Sequence, residues 1–220
     1  MTLDKCVSRT IFKVITLRPC WLSLNSMAKR IGVFCGSSLG ALPCYAQAAT
    51  ALAQDLAAQG IGIVYGGGKV GLMGVLADAA LAAGAEVIGV IPLSLERKEL
   101  AHTGLSDLRV VASMHERKAL MAELSDAFIA LPGGYGTFEE FCEVLTWTQL
   151  GLHRKPCGIL NVEGYYDHLL KLFDRAVADE FVKPVHRSIV LADSDHAALV
   201  KNLLEYKLPF VDKWIGRSEI

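Results

Sequence analysis

The chain has 220 residues, of which 52% are hydrophobic and 20% are charged, and its net charge is −1. This length suits one α/β domain with a sizeable core. The near-neutral charge gives no indication of nucleic acid or an anionic membrane as a partner, and no apolar run approaches the roughly 20 residues of a membrane-spanning helix. The six cysteines form no Cys-x-x-Cys pair, so we interpret them as reduced thiols of a cytoplasmic protein.

Residues 1–26 differ in character from the rest of the chain. They carry four basic residues against one acidic residue, and a second methionine, Met27, comes just before the first convincing strand. A transit peptide is one interpretation, although an apolar core segment and a small-residue cleavage site are both missing. We favour a dispensable or wrongly assigned extension, followed by one domain over 27–208 and a tail over 209–220.

From Lys29 onward, short β-rich apolar runs alternate with longer Ala- and Leu-rich segments. The predicted strands are Arg30–Cys35, Gly62–Tyr65, Glu86–Ile91, Leu108–Val111, Ala127–Leu131, Cys157–Asn161 and Ile189–Leu191. The predicted helices lie near Pro43–Gln59, Leu72–Ala83, Met114–Leu124, Phe138–Leu150, Tyr165–Asp179 and Asp195–Tyr206. Several strands are continuous apolar runs, as in a parallel sheet covered by helices on both faces. The alternation predicts a single doubly wound, Rossmann-like α/β domain with a mainly parallel sheet and ligands at the carboxyl ends of its strands.

The most informative segment is the glycine-rich stretch Pro132–Glu140. It follows a predicted strand and leads into a predicted helix, so its backbone N–H groups can surround a phosphate. A carboxylate, Glu140, stands in the first helical turn, where it can act on whatever the phosphate anchors. Thr137 and Glu140 also match a capping box, which leaves helix capping as an alternative role for Glu140.

Two cations, Arg117 and Lys118, follow a predicted cap at Ser113 and so lie near a helix N-terminus. There they oppose the helix dipole, at a cost of about 0.3–1 kcal/mol each when exposed. A solvated surface pair is one explanation. The other is that they face an anion or a carboxylate at the neighbouring strand ends, where Arg117 would balance the charge of Glu140.

Two further glycine motifs match known patterns incompletely. Gly66–Gly71 fits G-x-G-x-x-G, the motif of dinucleotide-binding proteins. Those proteins also need an acidic residue at the end of the next strand, but here the nearest one, Glu86, lies at the start of that strand. The prediction of a dinucleotide site is therefore weak. Contact of Gly67 and Gly68 with a phosphate or nucleotide is still expected. Gly36–Gly40 fits the G-x-S-x-G nucleophile elbow, but Pro43 starts the helix too late for that motif. We therefore expect Ser37 and Ser38 to offer hydroxyls or backbone N–H groups to a ligand. The six histidines show no metal-ligand spacing, and no metal is predicted.

Taken together, these motifs resemble the LOG ("lonely guy") family of cytokinin riboside 5′-monophosphate phosphoribohydrolases. The likeness rests on Met114-x-x-Arg117-Lys118 with Pro132–Glu140, and it runs from about Lys29 to about Val182. It includes Gly32–Ser38, Tyr65–Gly68, Gly71–Gly74, Val87–Pro92 and Thr146–Gly151. The same family has often been labelled "lysine decarboxylase", a name this chain does not support, since no lysine lies in a recognisable pyridoxal phosphate site.

The resemblance implies hydrolysis of the N-glycosidic bond of adenosine-type 5′-monophosphates, N6-prenylated ones included, to free base and ribose 5-phosphate. It implies no cofactor, a nucleoside 5′-monophosphate as partner and a homodimer or a larger assembly of dimers. By position, Arg117 and Glu140 are the implied catalytic residues. The expected substrate contacts, from the resemblance and the glycine motifs together, are Glu99, Lys118, Gly133, Gly134, Tyr135, Gly136, Thr137, Phe138, Glu139, Thr146, Ser37, Gly67, Gly68 and Met114.

Two alternatives stay open. An AMP nucleosidase of nucleotide turnover would share the reaction, because the sequence does not reveal the shape of the base pocket. A non-catalytic nucleotide- or cofactor-binding carrier on the same fold is the alternative from another class. A carrier is expected to lack either Arg117 or Glu140, and both are present.

Overall fold

The computed structural model of the protein describes residues 30–96, 100–207 and 209. Its strands are β1 (Arg30–Phe34), β2 (Gly62–Tyr65), β3 (Val87–Pro92), β4 (Asp107–Val111), β5 (Ala127–Ala130), β6 (Cys157–Leu160) and β7 (Val190–Asp193). Its α-helices are α1 (Pro43–Ala58), α2 (Gly71–Ala82), α3 (Leu93–Glu96), α4 (Met114–Leu124), α5 (Tyr135–Leu150), α6 (Asp167–Ala178), α7 (Pro184–Arg187) and α8 (His196–Glu205), with a 3-10 turn at Val162–Gly164. None of these helices is long and apolar enough to cross a membrane.

The seven strands form one sheet in the order β4-β3-β2-β1-β5-β6-β7, and every neighbouring pair is parallel. The strands are buried along most of their length because helices cover both faces. On one face α1, α2 and α8 bury residues such as Leu52, Leu76 and Leu199. On the other face the largest buried side chains include Phe128 and Phe141. The predicted doubly wound α/β fold is confirmed.

The strand order reverses direction between β1 and β5, which pair side by side with Phe34 opposite Ala130. At such a switch point the loops after the two strands turn to opposite faces of the sheet, which opens a crevice at their carboxyl ends. The loop after β1 and the Pro132–Glu140 segment after β5 border this crevice. The topology therefore brings the most informative sequence motif to the position where this fold class binds ligands.

The structure corrects the predicted start of one helix. Helix α5 begins at Tyr135 rather than Phe138, with Gly134 in extended conformation as its N-cap and no side-chain cap. The predicted capping box of Thr137 and Glu140 is therefore wrong, because both residues lie inside the helix. The N-cap residue, Gly134, has no side chain that could mark it as a cap in the sequence. Thr137, a residue type that commonly caps helices, was therefore predicted as the cap in its place. The cap predicted at Ser113 is confirmed, since Ser113 Oγ accepts a hydrogen bond from Glu116 N at 3.1 Å.

Other boundaries differ by smaller amounts. Helix α6 begins at Asp167 rather than Tyr165, because a 3-10 turn precedes it, and β7 extends from Val190 to Asp193. The four-residue helices α3 and α7 have no counterpart in the predicted elements, since one turn is too short to show periodicity. The predicted extension over 1–26, the predicted contact Glu99 and all of the tail except Pro209 lie outside the described residues.

Candidate active site

A cleft of about 370 Å³ lies at the carboxyl ends of the central strands. Three glycine-containing segments form its walls: the loop after β1, the loop after β2 and the N-terminal turn of α5. Arg117 from α4 and Glu140 from α5 reach its interior. Of the predicted site residues, those that line the cleft are Ser37, Gly68, Gly134, Tyr135, Gly136, Thr137, Arg117 and Glu140.

The N-terminal turn of α5 forms one end of the cleft. The first N–H groups of an α-helix have no partner within the helix, and the helix dipole adds partial positive charge there. Gly133 permits this turn to pack tightly, because a Cβ atom at this position would lie 2.1 Å from Thr137 Oγ1 and 2.9 Å from Gly36 N. The turn is tied to β1 by a hydrogen bond from Gly36 N to Pro132 O at 3.0 Å. Its geometry is that of a backbone anion site.

Arg117 and Glu140 form a buried ion pair beside this turn, with 3.0 Å between Arg117 Nη1 and Glu140 Oε1. Each residue is only 8% exposed. Arg117 Nε also donates to Val90 O at 3.0 Å, which fixes the guanidinium over the end of β3. On its other side the guanidinium lies against Gly66, where a Cβ atom would come within 1.9 Å of Nη2. The fold thus holds the guanidinium in one place from several directions.

The pKa of Glu140 is raised above its ordinary value of 4.5 because burial disfavours the carboxylate, an effect that the nearby Arg117 guanidinium opposes. Cys35 lies on the same wall of the cleft, and burial raises the pKa of its thiol, with a further contribution from the Glu140 carboxylate. The thiol therefore stays protonated at neutral pH. Glu140 is the candidate acid–base group of the cleft.

Lys118 points elsewhere and does not line the cleft. Its ammonium group binds the carboxylates of Glu139 and Glu143 on the outer side of α5, the second at 3.1 Å. Burial lowers the pKa of Lys118, but the hydrogen bonds to the two carboxylates outweigh it, so the net pKa is raised. The two cations near the start of α4 are therefore offset by carboxylates of α5, and only Arg117 faces the cleft.

The loop after β2, which forms one of the three walls of the cleft, is held in place by two neighbouring segments. Gly71, with φ of +58°, packs against the loop after β1, because a Cβ atom there would lie 2.2 Å from the carbonyl carbon of Ser37. Hydrogen bonds from Lys69 N to Leu100 O and from His102 N to Gly67 O, both 2.9 Å, join this loop to the chain after α3. Glu86, whose position in the sequence weakened a dinucleotide site, binds Arg30 with its carboxylate at the amino end of the sheet.

The other predicted contacts lie around the cleft rather than in it. Met114 is 43% exposed with its sulfur 3.9 Å from Arg117 Nη1, and Phe138 packs with aromatic side chains below the turn. Thr146 lies on an exposed part of α5, where its hydroxyl donates to Cys142 O. Gly67 is buried behind the loop wall. Glu99 is not described, whereas the next residue, Leu100, lines the cleft.

Sequence reasoning missed several residues that line the cleft or support it, among them Met73, Cys35 and Tyr165. Met73 lines the cleft with its sulfur near Gly66, and its place at the start of α2 could have indicated this. Cys35 was interpreted only as one of the reduced thiols. Tyr165 donates a hydrogen bond from its hydroxyl to Gly133 O, and no local signal in the sequence pointed to that contact. Among residues 30–96, 100–207 and 209, no group of three or more His, Cys, Asp or Glu residues could hold a metal ion.

Comparisons with known proteins show the family to which the chain belongs. A family model described as "Possible lysine decarboxylase" matches residues 73–203. The cytokinin riboside 5′-monophosphate phosphoribohydrolase LOG5 of Arabidopsis thaliana is 50% identical over 195 residues, which cover 89% of this chain and 85% of the relative. The probable cytokinin riboside 5′-monophosphate phosphoribohydrolase LOGL9 of Oryza sativa subsp. japonica is 52% identical over 182 residues, or 83% and 80% of the two chains.

Solved structures support the fold alone. The molybdenum cofactor carrier protein of Chlamydomonas reinhardtii matches with a TM-score of 0.63 and 24% identity, over 81% of this chain and 99% of that protein. The molybdenum cofactor binding protein of Rippkaea orientalis matches with a TM-score of 0.62 and 23% identity, over 82% and 99%. The family model covers more than half of the chain, and the plant relatives share about half of its residues. The chain therefore belongs to the LOG family, whose named members are cytokinin riboside 5′-monophosphate phosphoribohydrolases.

Proposed function

We propose that the protein hydrolyses the N-glycosidic bond of adenosine 5′-monophosphates, including those with an N6 substituent, and releases the free base and ribose 5-phosphate. The observation that carries this proposal is the buried Arg117–Glu140 pair beside the N-terminal turn of α5. One end of the cleft thus suits a phosphate, and a carboxylate stands a short distance inside it. The names of the plant relatives supply the substrate class.

Binding begins with the 5′-phosphate at the N-terminal turn of α5. Backbone N–H groups and the helix dipole favour an anion there. The glycines Gly134 and Gly136 leave open space around the turn, since a Cβ atom added at either position would meet no other atom within 4 Å. The ribose then extends toward Glu140, and the base toward the apolar part of the cleft near Met73 and Ile91. An anchored phosphate holds the sugar carbon in place for reaction.

In the reaction, the bond between C1′ and the base nitrogen breaks and its electron pair leaves with the base. The sugar develops oxocarbenium-like positive charge, which the Glu140 carboxylate stabilises. Glu140 also accepts a proton from the attacking water, whose oxygen forms the new bond to C1′. The departing base takes up a proton from solvent, and Glu140 returns its own to solvent. Arg117 keeps Glu140 ionised and oriented, since burial alone would favour the protonated acid.

A single assay tests this function. The protein is incubated with AMP and with isopentenyl-AMP in parallel, and free adenine, free isopentenyladenine and ribose 5-phosphate are quantified. We expect base and ribose 5-phosphate in equal amounts. A strong preference for AMP would identify a nucleosidase of nucleotide turnover. No product from either substrate would refute hydrolysis and favour a carrier, the function named for the solved relatives of this fold.

We further infer that the protein acts as a homodimer in the cytoplasm. Helix α6 packs Leu169, Leu170 and Phe173 against the core, but its Leu172 is 61% exposed. Phe181, just after this helix, is 85% exposed. Large apolar side chains of this kind are commonly covered by another subunit. The cysteines Cys35, Cys44, Cys142 and Cys157 are all free thiols, which agrees with a reducing compartment.

A further inference from the structure

Two consecutive tyrosines that do not line the cleft hold the backbone of the segment just before α5. The Tyr165 hydroxyl donates a hydrogen bond to Gly133 O, and the Tyr166 hydroxyl donates one to Leu131 O at 2.7 Å. These two carbonyls lie on either side of Pro132. The pair of hydroxyls therefore fixes the backbone that joins β5 to α5 immediately before the helix begins.

The segment that carries the tyrosines is itself well ordered by local contacts. Asn161 Oδ1 accepts a hydrogen bond from Tyr166 N at 2.7 Å, and its side-chain amide donates to Asp167 at 2.8 Å. Between them the chain turns sharply, with positive φ at Glu163 and Gly164. This turn presents two neighbouring hydroxyls to one stretch of backbone.

The ring of Tyr165 is held on three sides. Its centroid lies 5.8 Å from that of Tyr45, 6.4 Å from that of Phe138 and 5.0 Å from that of Tyr166. Ring contacts therefore set the position of the hydroxyl, and the hydroxyl in turn sets the direction of the Gly133 carbonyl. Tyr165 also lines a second cavity of about 290 Å³, which shares Gly36, Ser37 and Gly134 with the catalytic cleft.

The direction of this carbonyl decides the direction of an N–H group. In a trans peptide unit the C=O and the following N–H point in opposite directions. Because Gly133 O points to Tyr165, the N–H of Gly134 points away from Tyr165. Both residues are glycines, whose backbone preferences are weak, and a Cβ atom added at Gly134 would meet no other atom within 4 Å, so on the Gly134 side the hydrogen bond from Tyr165 is needed to hold the orientation of this peptide unit.

We propose that Tyr165 is a positioning residue for phosphate binding, whose hydroxyl holds the Gly133–Gly134 peptide so that the Gly134 N–H is presented to the 5′-phosphate. The proposal rests on the proposed function of the same site. A hydrogen bond to the carbonyl also polarises the peptide, which makes its N–H a better donor to an anion. The tyrosine acts through the backbone and does not touch the reacting atoms.

The test is the variant Tyr165→Phe, which removes the hydroxyl and keeps the ring. Ribose 5-phosphate is titrated into the protein by calorimetry, because it carries the phosphate but no glycosidic bond, and adenine is titrated separately. We expect the Kd for ribose 5-phosphate to rise by on the order of tenfold to a hundredfold, the worth of a hydrogen bond to a charged group, and the Kd for adenine to stay unchanged. The KM for AMP should rise in parallel.

Tyr206→Phe is the matched control. Its hydroxyl also donates to a backbone carbonyl, Ser188 O at 2.6 Å, but Tyr206 does not line the catalytic cleft. Ribose 5-phosphate binding to this variant should equal that of the wild type. Partial unfolding of Tyr165→Phe would lower the calorimetric stoichiometry and not change the Kd, so it can be told apart from the predicted rise in the Kd.

Two outcomes would overturn the proposal. One is an unchanged Kd for ribose 5-phosphate in Tyr165→Phe, and the other is an equal rise in the Kd for adenine, which indicates general distortion of the cleft. Failure of the wild type to cleave any nucleotide would instead refute the hydrolase function, and it is measured independently of the two Kd values. Cleavage by the wild type with unaltered binding by Tyr165→Phe would refute the role of the tyrosine alone.

Discussion

Replacement of Gly66 by alanine is a sharp test of the arrangement around Arg117. The added Cβ atom would lie 1.9 Å from Arg117 Nη2, whereas Cβ atoms essentially never approach another heavy atom closer than 3.0 Å. Gly66 does not have the positive φ that strains an alanine, so steric contact with the guanidinium is the main perturbation. The guanidinium must therefore move by more than about 1 Å, and misplacement on this scale can cost roughly 10²-fold in rate.

The displacement also threatens the stability of the fold. Arg117 would lose its contact with Glu140 at 3.0 Å or its hydrogen bond to Val90 O, and both partners are buried. Breaking a buried ion pair by removing one partner typically costs about 3–5 kcal/mol. Because the guanidinium is moved rather than removed, we expect a loss of about 1–3 kcal/mol in the free energy of unfolding, in the range of breaking a buried polar contact.

The assay measures kcat/KM for AMP and isopentenyl-AMP together with urea unfolding. The matched control is Gly62→Ala at the start of β2, where the added Cβ atom meets the side chains of Glu86 and Arg30 at 3.1 and 3.2 Å, at the end of the strand opposite to the cleft. We expect Gly62→Ala to keep wild-type kcat/KM and Gly66→Ala to lose at least about 10²-fold. Wild-type kcat/KM in Gly66→Ala would refute the claim that catalysis depends on the position of this guanidinium.

Three further predictions follow from the site and from the exposed face of α6. Glu140→Gln keeps the side-chain shape but removes the charge, so kcat should fall by roughly 10²–10⁴-fold with bound substrate still detectable; near-normal turnover would exclude Glu140 as the base. Burial raises the pKa of Glu140 above 4.5, so its stabilising contribution is complete below that pH and is lost as pH rises through the raised pKa, while kcat/KM increases over the same interval. Comparing unfolding and rate profiles of wild type and Glu140→Gln checks this, since both features should vanish in the variant. Leu172→Glu on α6 should shift light-scattering mass from dimer to monomer, whereas Leu204→Glu on α8, 36% exposed, should not; a Leu172→Glu dimer would place the interface elsewhere.

Much of the fold could be predicted from local pattern. The strands are short apolar runs and the helices between them are long, so their existence and order follow from hydrophobicity alone. The start of α5 could not be predicted in this way, because its N-cap residue, Gly134, acts through its extended backbone conformation and has no capping side chain that the sequence would show. The one-turn helices α3 and α7 likewise lack the length that periodicity needs.

The site was predicted in part. The sequence placed Arg117 and Glu140 on βα units that follow one another along the chain, and the expected ion pair is confirmed. The expectation that neighbouring strand ends bring them together is wrong, because β3, β2 and β1 lie between β4 and β5, and it is the packing of α4 across these strands that carries Arg117 to Glu140. It also proposed Lys118 and Thr146 as substrate contacts, and in the single chain neither lines the cleft. Whether they contact substrate stays a prediction. Tyr165 was not singled out, because it lies 32 residues along the chain from the carbonyl it binds.

The sequence by itself determined the α/β class, the family and the two charged residues on which the proposed chemistry depends. Only the tertiary structure decided which of the two adjacent cations, Arg117 or Lys118, lines the cleft. Arg117 and Lys118 are about 100° apart around α4, so they face different neighbours. Packing of α4 against β3 and α5 turns Arg117 inward to Val90 O and Glu140, and it leaves Lys118 on the outer side with Glu139 and Glu143. No local pattern encodes that choice, because it depends on which strands and helices the sheet brings together.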